Sequence, residues 1–471
     1  MDDLLIAGGW VVDPGNGSEG QMDILVRAGQ VAAVAADLPH DGLARVIDAT
    51  GQVVLPGLVD THVHLCGPFG GAQGHRMLAK AGVTCALDMA GDGACIVSGL
   101  RDRGAGLTVA YLFPLIPGET IADRAPDRAA LTRVRDQALQ QGALGLKVLG
   151  GHFPLTPEAT AKAIDVAAEA GCWCAVHAGT TNTGSDIEGL EELVALAADR
   201  PVHIAHINSY CRGQRTGDPL LEASRAIAAL TRAPRARSES YLATINGANA
   251  SIENGIPKSN VLKTCLALGG FAPTAAGMEA AIRAGWACIQ GLQDGETVLL
   301  PPEEGLVLYH AEGTNVGVSF PVNPPGAAIA IALAKHAGEF VVTAISTDGG
   351  AIPRNTTIRQ GFALVDFGAL TLGDLVRKAC FNPARMLGLP TKGHLAPGAD
   401  ADIAIVDRVT RDVSAVIAGG VVIVDGGTVV GRGGRMAVTP AGTEFARDAG
   451  LDHVIATPDW LVAPETDTGT R

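Results

Sequence analysis

Pro56-Gly57-Leu58-Val59-Asp60-Thr61-His62-Val63-His64 is an apolar run that turns at Pro-Gly and ends in two histidines one residue apart. Alternate side chains of a β-strand share a face, so His62 and His64 project the same way from a strand end. Two neutral imidazoles on one face are a ready pair of metal ligands. The surrounding chain decides whether they have company.

From about residue 56 to 392 the sequence alternates strand-like and helix-like runs, the rhythm of an α/β protein. The strand candidates are Gly57–His64, Val83–Met89, Leu107–Phe113, Ala143–Leu149, Cys172–Ala178, Val202–Ile207, Ser238–Ile245 and Phe340–Thr347. Alanine-rich helical stretches separate several of them, such as 156–170, which Thr156-Pro157-Glu158 opens as an N-cap with proline at the first helical position, and 186–198. Eight strands with crossovers predict a (β/α)8 TIM-type barrel. Residues 249–338 are too many for one crossover and read as an insertion that carries substrate contacts.

Both ends of the chain have a different texture. Residues 2–55 and 401–427 read as short apolar strands, with turns at Asn16-Gly17 and Ala28-Gly29 in the first segment. The economical reading is a small β-sandwich domain built from both termini, 1–55 plus 393–437, around a barrel of 56–392. The tail from 438 to 471 has no clear pattern.

Composition bounds the function. Of 471 residues, 47% are hydrophobic and 18% charged, with a formal net charge of −14 and no basic cluster, which argues against a nucleic-acid surface. No apolar run is long enough to span a bilayer. The first residues lack a basic region followed by an apolar stretch, and the nine cysteines are unpatterned. Reduced thiols, a cytoplasmic location and no membrane or nucleic-acid partner are therefore expected.

Barrel enzymes carry their functional side chains at the C-terminal ends of the strands. There the sequence offers His62 and His64, Lys147, His177, His206 and Asp348, from five strands. Strand parity puts His203 on the opposite face from His206, toward the helices, and makes Cys172 and Cys174 packing residues. His152, five residues past Lys147, is a candidate substrate contact, and so are Asn208, Tyr210 and Arg212 after His206 and Arg354 after Asp348. A guanidinium there would fork a substrate carboxylate. Asn246 and Asn323 are further candidates.

These motifs resemble the amidohydrolase superfamily of metal-dependent hydrolases. The similarity rests on Gly57–His64, Gly145-Leu146-Lys147, the single histidines His177 and His206, Asp348, and the return Leu395-Ala396-Pro397-Gly398-Ala399-Asp400-Ala401-Asp402. Lys147 resembles the lysine that dihydroorotases and hydantoinases carry as a carbamate. The resemblance implies two divalent cations, with zinc expected. His62, His64, Lys147 and Asp348 would serve one, and Lys147, His177 and His206 the other. It also implies Asp348 as the proton carrier. Val202–Ser209 and Ser238-Glu239-Ser240-Tyr241 are similar instead to N-acyl-D-amino-acid deacylases, many of which use a bridging cysteine. Cys95 is thus an alternative bridging ligand, with Lys147 favoured.

The resemblance leads to hydrolysis of a C–N amide bond in a small molecule. The substrate is a cyclic amide such as a hydantoin, imide or dihydropyrimidine, or alternatively a linear N-acyl amino acid. A non-catalytic scaffold is disfavoured because all six candidate positions are filled. Family habit and the sheet edges suggest a homo-oligomer.

Overall fold

The computed structural model describes residues 3–40, 42–67 and 70–461. The chain ends meet in one nine-stranded sheet, in which Gln52–Pro56 pairs antiparallel with Ile403–Asp407 and thereby joins the N-terminal strands to the C-terminal ones. Apolar residues on alternate sides of that seam face different cores. Val54, Ile403 and Ile405 pack with Leu4, Ile24 and Ile417, whereas Val53, Leu55, Ala404 and Val406 pack against the body of the molecule. A shift of one residue would exchange the two faces, so both cores fix the register.

The body contains two six-stranded sheets. One runs Gly349–Gly350, Leu58–His64, Val83–Asp88, Ala105–Tyr111, Gly433–Val438 and His453–Ile455, and every pairing in it is parallel. The other runs Ala344–Ile345, Ala236–Ser240, Val202–Ile204, Trp173–His177, Gly145–Leu149 and Phe113–Leu115, also parallel throughout. The chain links the sheets directly at two edges. Leu112 joins Ala105–Tyr111 to Phe113–Leu115, and residues 346–348 join Ala344–Ile345 to Gly349–Gly350. Asp348 therefore lies in a seam between sheets. Val59, Leu87, Ala110, Leu144, Trp173, Ala175 and Ala344, drawn from both sheets, share one core. Helices pack on the other faces, where Cys172, Cys174, Val176 and Ile204 belong to the larger core.

Helix ends follow local chemistry. Thr156 Oγ1 accepts from Ala159 N at 3.2 Å to cap Pro157–Glu169, and the Asp186 carboxylate caps Ile187–Ala197.

Between Ser240 and Ala344 the chain builds a compact excursion. Asn246–Asn249, Gly317–Phe320, Cys288–Gln293 and Glu296–Leu299 form a separate antiparallel sheet. Three helices, Asn260–Leu268, Ala275–Arg283 and Pro302–Ala311, cover it over a core that includes Leu262, Leu266, Ile282, Ile289 and Phe320. The helix Pro325–Leu333 then returns to the main core.

Two features depart from the sequence reading. The strand Gly433–Val438 straddles the expected boundary at 437 and runs beside Ala105–Tyr111; the helix Thr443–Asp448 and strand His453–Ile455 follow it. Residues 462–471 of the expected tail lie outside the described residues. The cysteines are not all free thiols either, because Cys66 and Cys95 form a disulfide and the other seven are unpaired. The loop after His64 and the start of the helix Gly93–Arg103 come together only in the fold, so spacing did not announce the pair. Among the described residues no helix is long and apolar enough to cross a membrane.

Candidate active site

His62 and His64 end a strand whose seven residues are all buried. A register irregularity between Asp60 and Val63 turns the strand end, and both ring Nε2 atoms meet Asp348 Oδ1, at 3.2 Å from His62 and 2.9 Å from His64. On the facing sheet His177 Nδ1 and His206 Nε2 lie 3.2 Å apart, and His177 Nε2 meets Ser185 Oγ at 2.7 Å. One ligand atom each from His62, His206 and Asp348 lies within 4.8 Å of the others. Lys147 is the middle residue of Gly145–Leu149, the strand between Phe113–Leu115 and Trp173–His177, and its buried Nζ has no hydrogen-bond partner. Gly151, in the loop after Lys147, leaves room for a ring, since a Cβ there would stand 2.1 Å from His177 Nε2. All six residues line one cavity with about 500 Å3 of empty space.

The electrostatics suit a ligand set. Burial pushes His62 down to about 4, and it drives His177 and His206 well below the ordinary imidazole value. The rings are neutral, with lone pairs to donate. Burial lowers the Lys147 ammonium to about 8, so an appreciable share is free amine near neutral pH. Burial pushes the Asp348 carboxyl up, but the Arg354 guanidinium and the neighbouring histidines outweigh it and hold Asp348 well below the usual carboxylate range.

Several partners that the sequence reading did not assign fix this arrangement. Glu239, wholly buried, accepts from His62 Nδ1 at 2.7 Å and from His206 N at 2.8 Å through Oε1, and from Ser346 Oγ at 2.6 Å through Oε2. Its hydrogen bond to Nδ1 leaves His62 Nε2 as the lone-pair nitrogen. Asp60 accepts from His62 N at 3.1 Å and from Thr347 Oγ1 at 2.6 Å, tying the first strand to the loop that carries Asp348. Burial raises its carboxyl to about 7. Asp88 accepts from Leu65 N at 2.6 Å and Cys66 N at 3.0 Å, fixing the chain just after His64. The available signals were Asp60 as the acidic residue of the opening stretch, and Glu239 set between two serines in the polar strand Ala236–Ser240.

His203 corrects the parity argument. Its Nδ1 accepts from Trp173 Nε1 at 3.2 Å and its Nε2 lies 3.7 Å from Glu239 Oε1, so it faces inward while Val202 and Ile204 face the helices. The strand stops at Ile204, and His206 adopts a left-handed φ of 35°, which swings its ring back to the inner side. Alternation cannot be counted across such a turn.

The substrate candidates divide. His152, Arg212, Asn246 and Arg354 line the cavity. His152 Nδ1 meets Ser259 Oγ at 3.0 Å, and burial lowers this imidazole to about 3. Arg354 is not open to a substrate carboxylate: its Nη2 pairs with Asp348 Oδ2 at 2.6 Å, its Nε donates to the Asp348 carbonyl, and its guanidinium stacks on Tyr241. Asn208 turns away, accepting from Tyr241 N at 3.0 Å. The Tyr210 hydroxyl accepts from Ala178 N at 2.8 Å, which leaves its ring as a wall behind His177 and His206. Asn323 stands behind Arg212. Cys95 does not reach the cavity, because its sulfur is bonded to Cys66.

Comparison with known proteins agrees with this picture. Residues 323–430 match the amidohydrolase family model. The dihydroorotase of Syntrophus aciditrophicus is 26% identical over 439 residues, covering 86% of this chain and 89% of that one. Among solved structures, D-aminoacylase superposes with a TM-score of 0.65 at 19% identity, over 93% of this chain and 99% of that chain. The dihydropyrimidinase of Brevibacillus agri gives a TM-score of 0.58 at 18% identity, over 92% of this chain and 98% of that one. Similarity to the dihydroorotases thus covers most of the chain, and residues 323–430 are similar to the amidohydrolase family.

Proposed function

We propose that the protein is a metal-dependent hydrolase that cleaves a C–N amide bond of a small molecule, with a cyclic amide as substrate. The observation that carries this reading is a buried lysine amine without a partner, set among four imidazoles and an ionised carboxylate. Left alone, such an amine is a costly orphan. Addition of CO2 to this amine, with loss of a proton, would turn it into a carbamate anion suited to divalent cations. The donor set fits the group: His62, His64, Lys147 and Asp348 would hold one divalent cation, and Lys147, His177 and His206 the other. Nitrogen and carboxylate donors suit zinc.

When bound, the two cations supply Lewis acidity that activates water and polarises the amide carbonyl. The chain's own groups do the rest. Asp348, kept ionised by Arg354, takes a proton from the attacking water and returns it to the leaving nitrogen, which departs poorly without it. Glu239 holds the His62 tautomer and the His206 backbone.

We further read the two parallel sheets as one (β/α)8 barrel, with a sandwich domain from 1–55 and 393–437 and an insertion over 249–338. The protein is inferred to work in the cytoplasm as a homo-oligomer. A linear N-acyl amino acid is the second reading, favoured by the free guanidinium edge described below. Metal analysis of purified protein, followed by assays on cyclic and linear amides, tests the proposal. Stoichiometric divalent metal and chelator-sensitive turnover are expected. Metal-free protein, or turnover indifferent to chelation, would refute it.

A further inference from the structure

Two arginines line the cavity, and only one has its charge answered. Arg354 is paired with Asp348. Arg212 is also over nine-tenths buried, yet, among the described residues, no carboxylate lies within ion-pair distance of it. Its Nε donates to Asn323 Oδ1 at 2.9 Å, while its Nη2 has no partner. The nearby Glu222 carboxylate is occupied by the backbone amides of Gly213, Arg215 and Thr216.

Arg212 is also held rigidly. Asn323 Nδ2 donates to Tyr241 Oη at 2.9 Å and to the Ile245 carbonyl at 3.0 Å, which orients its Oδ1 toward the guanidinium. The Tyr241 hydroxyl is fixed in turn by Ser209 Oγ at 2.9 Å. A buried cation with an unused donor edge carries a desolvation cost that a matching anion removes. A second cavity shares Ser185, Arg212 and Val261 with the first, so Arg212 stands where the two cavities adjoin.

We propose that Arg212 is a specificity-determining residue that binds a carboxylate on the substrate, so that the preferred amides, cyclic or linear, are anionic and their carboxylate lies at the junction of the two cavities. This rests on the amide-hydrolase reading and decides, within it, between charged and neutral substrates. A charge-assisted hydrogen bond to a buried guanidinium predicts about 10- to 100-fold preference.

The test uses the full chain as purified and matched pairs: dihydroorotate against dihydrouracil, and N-acetylglycine and N-acetylalanine of both hands against their primary amides. Calorimetric binding and turnover are both measured. The expected result is tighter binding of the carboxylate member of at least one pair by tenfold or more, with kcat/KM following through KM. Arg212→Met should bring the pair to within twofold, and Arg212→Lys should retain part of the preference. Equal binding of both members of every pair by the wild type, or no measurable binding of any, overturns the proposal without needing a variant. An undiminished preference in a folded Arg212→Met protein overturns it as well. Carboxylate-selective binding without turnover of any amide would support the anion site and sink the hydrolase reading, whereas turnover without carboxylate preference does the reverse.

Discussion

Replacing Glu239 by glutamine separates charge from shape at the centre of the site. Glu239 Oε1 accepts from His62 Nδ1 at 2.7 Å and His206 N at 2.8 Å, and the glutamine carbonyl can keep both bonds. At the other corner an amide NH2 replaces the oxygen that accepts from Ser346 Oγ at 2.6 Å, and the hydroxyl rotates to accept instead. The scaffold therefore survives, while the anion that raises the basicity of His62 is lost. Removing such a partner behind a metal-binding histidine costs about 10- to 100-fold in metal affinity, or about 1.4–2.7 kcal/mol. Glu239→Ala goes further, because it removes the acceptor of three buried donors at roughly 1–3 kcal/mol each. Competition against a chromophoric chelator gives the metal affinities, and thermal unfolding of the metal-stripped proteins gives the stabilities. Glutamine should weaken metal binding with little change in unfolding, and alanine should lower both. A glutamine variant that holds metal within twofold of the wild type would refute the assigned role.

Arg354→Met removes the charge that keeps Asp348 ionised, so the Asp348 pKa rises and the acidic limb of the kcat/KM profile moves to higher pH, with partial recovery in Arg354→Lys. A limb that stays in place would exclude the pairing as its cause. Cys66 and Cys95 are 29 residues apart, and a crosslink of that span is worth roughly 3–4 kcal/mol on the loop-entropy account. Reductant should therefore lower the Tm of the wild type but leave an already less stable Cys95→Ser variant unchanged; a wild-type Tm indifferent to reductant would count against the bond. Burial lowers Lys378 to about 7, below the ~10.4 of an unfolded chain. The unfolded state then binds more protons between those values, so this residue makes stability increase from about pH 7 toward 10, by at most about 1.4 kcal/mol per unit. Urea unfolding should show a flatter rise in Lys378→Met, and an identical slope in both proteins would show that the buried lysine does not titrate there.

The parts of the architecture written in local pattern were legible. Apolar runs closed by turns located the strands, and Thr156 and Asp186 marked helix starts by the bonds their side chains make. The split sheet was legible because two distant segments had the same texture of short apolar strands and tight turns. His62, His64, Lys147, His177, His206 and Asp348 do share one cavity. What stayed hidden depends on pairings between distant residues. Nothing adjacent to Cys95 shows that Cys66 will meet it. Nothing around Arg354 shows that its charge is spent on Asp348 while that of Arg212 is left over. Glu239 was quoted only as part of a motif, because its importance lies in which three donors converge on it.

The parity error at His203 has a cause that bears on the chemistry. His206 and Asp348 both adopt left-handed backbone, with φ of 35° and 50°, in a region that β-carbon sterics make unfavourable. Each stands where a strand has just ended, His206 after Val202–Ile204 and Asp348 after Ala344–Ile345. A regular strand end would send alternate side chains to opposite faces and could offer only every second residue to the cavity. The left-handed turn breaks that rule, letting His203 face inward to Glu239 while His206 still reaches the cavity. The strain is offset locally: Glu239 takes the His206 amide, and Arg354 takes both the carbonyl and the carboxylate of Asp348. Backbone strain held in place by buried charge is a common device for pre-setting reactive groups. Here the same two anchors, Glu239 and Arg354, also set the tautomer of His62 and the ionisation of Asp348, so the groups that hold the backbone in place are the ones that tune the electrostatics.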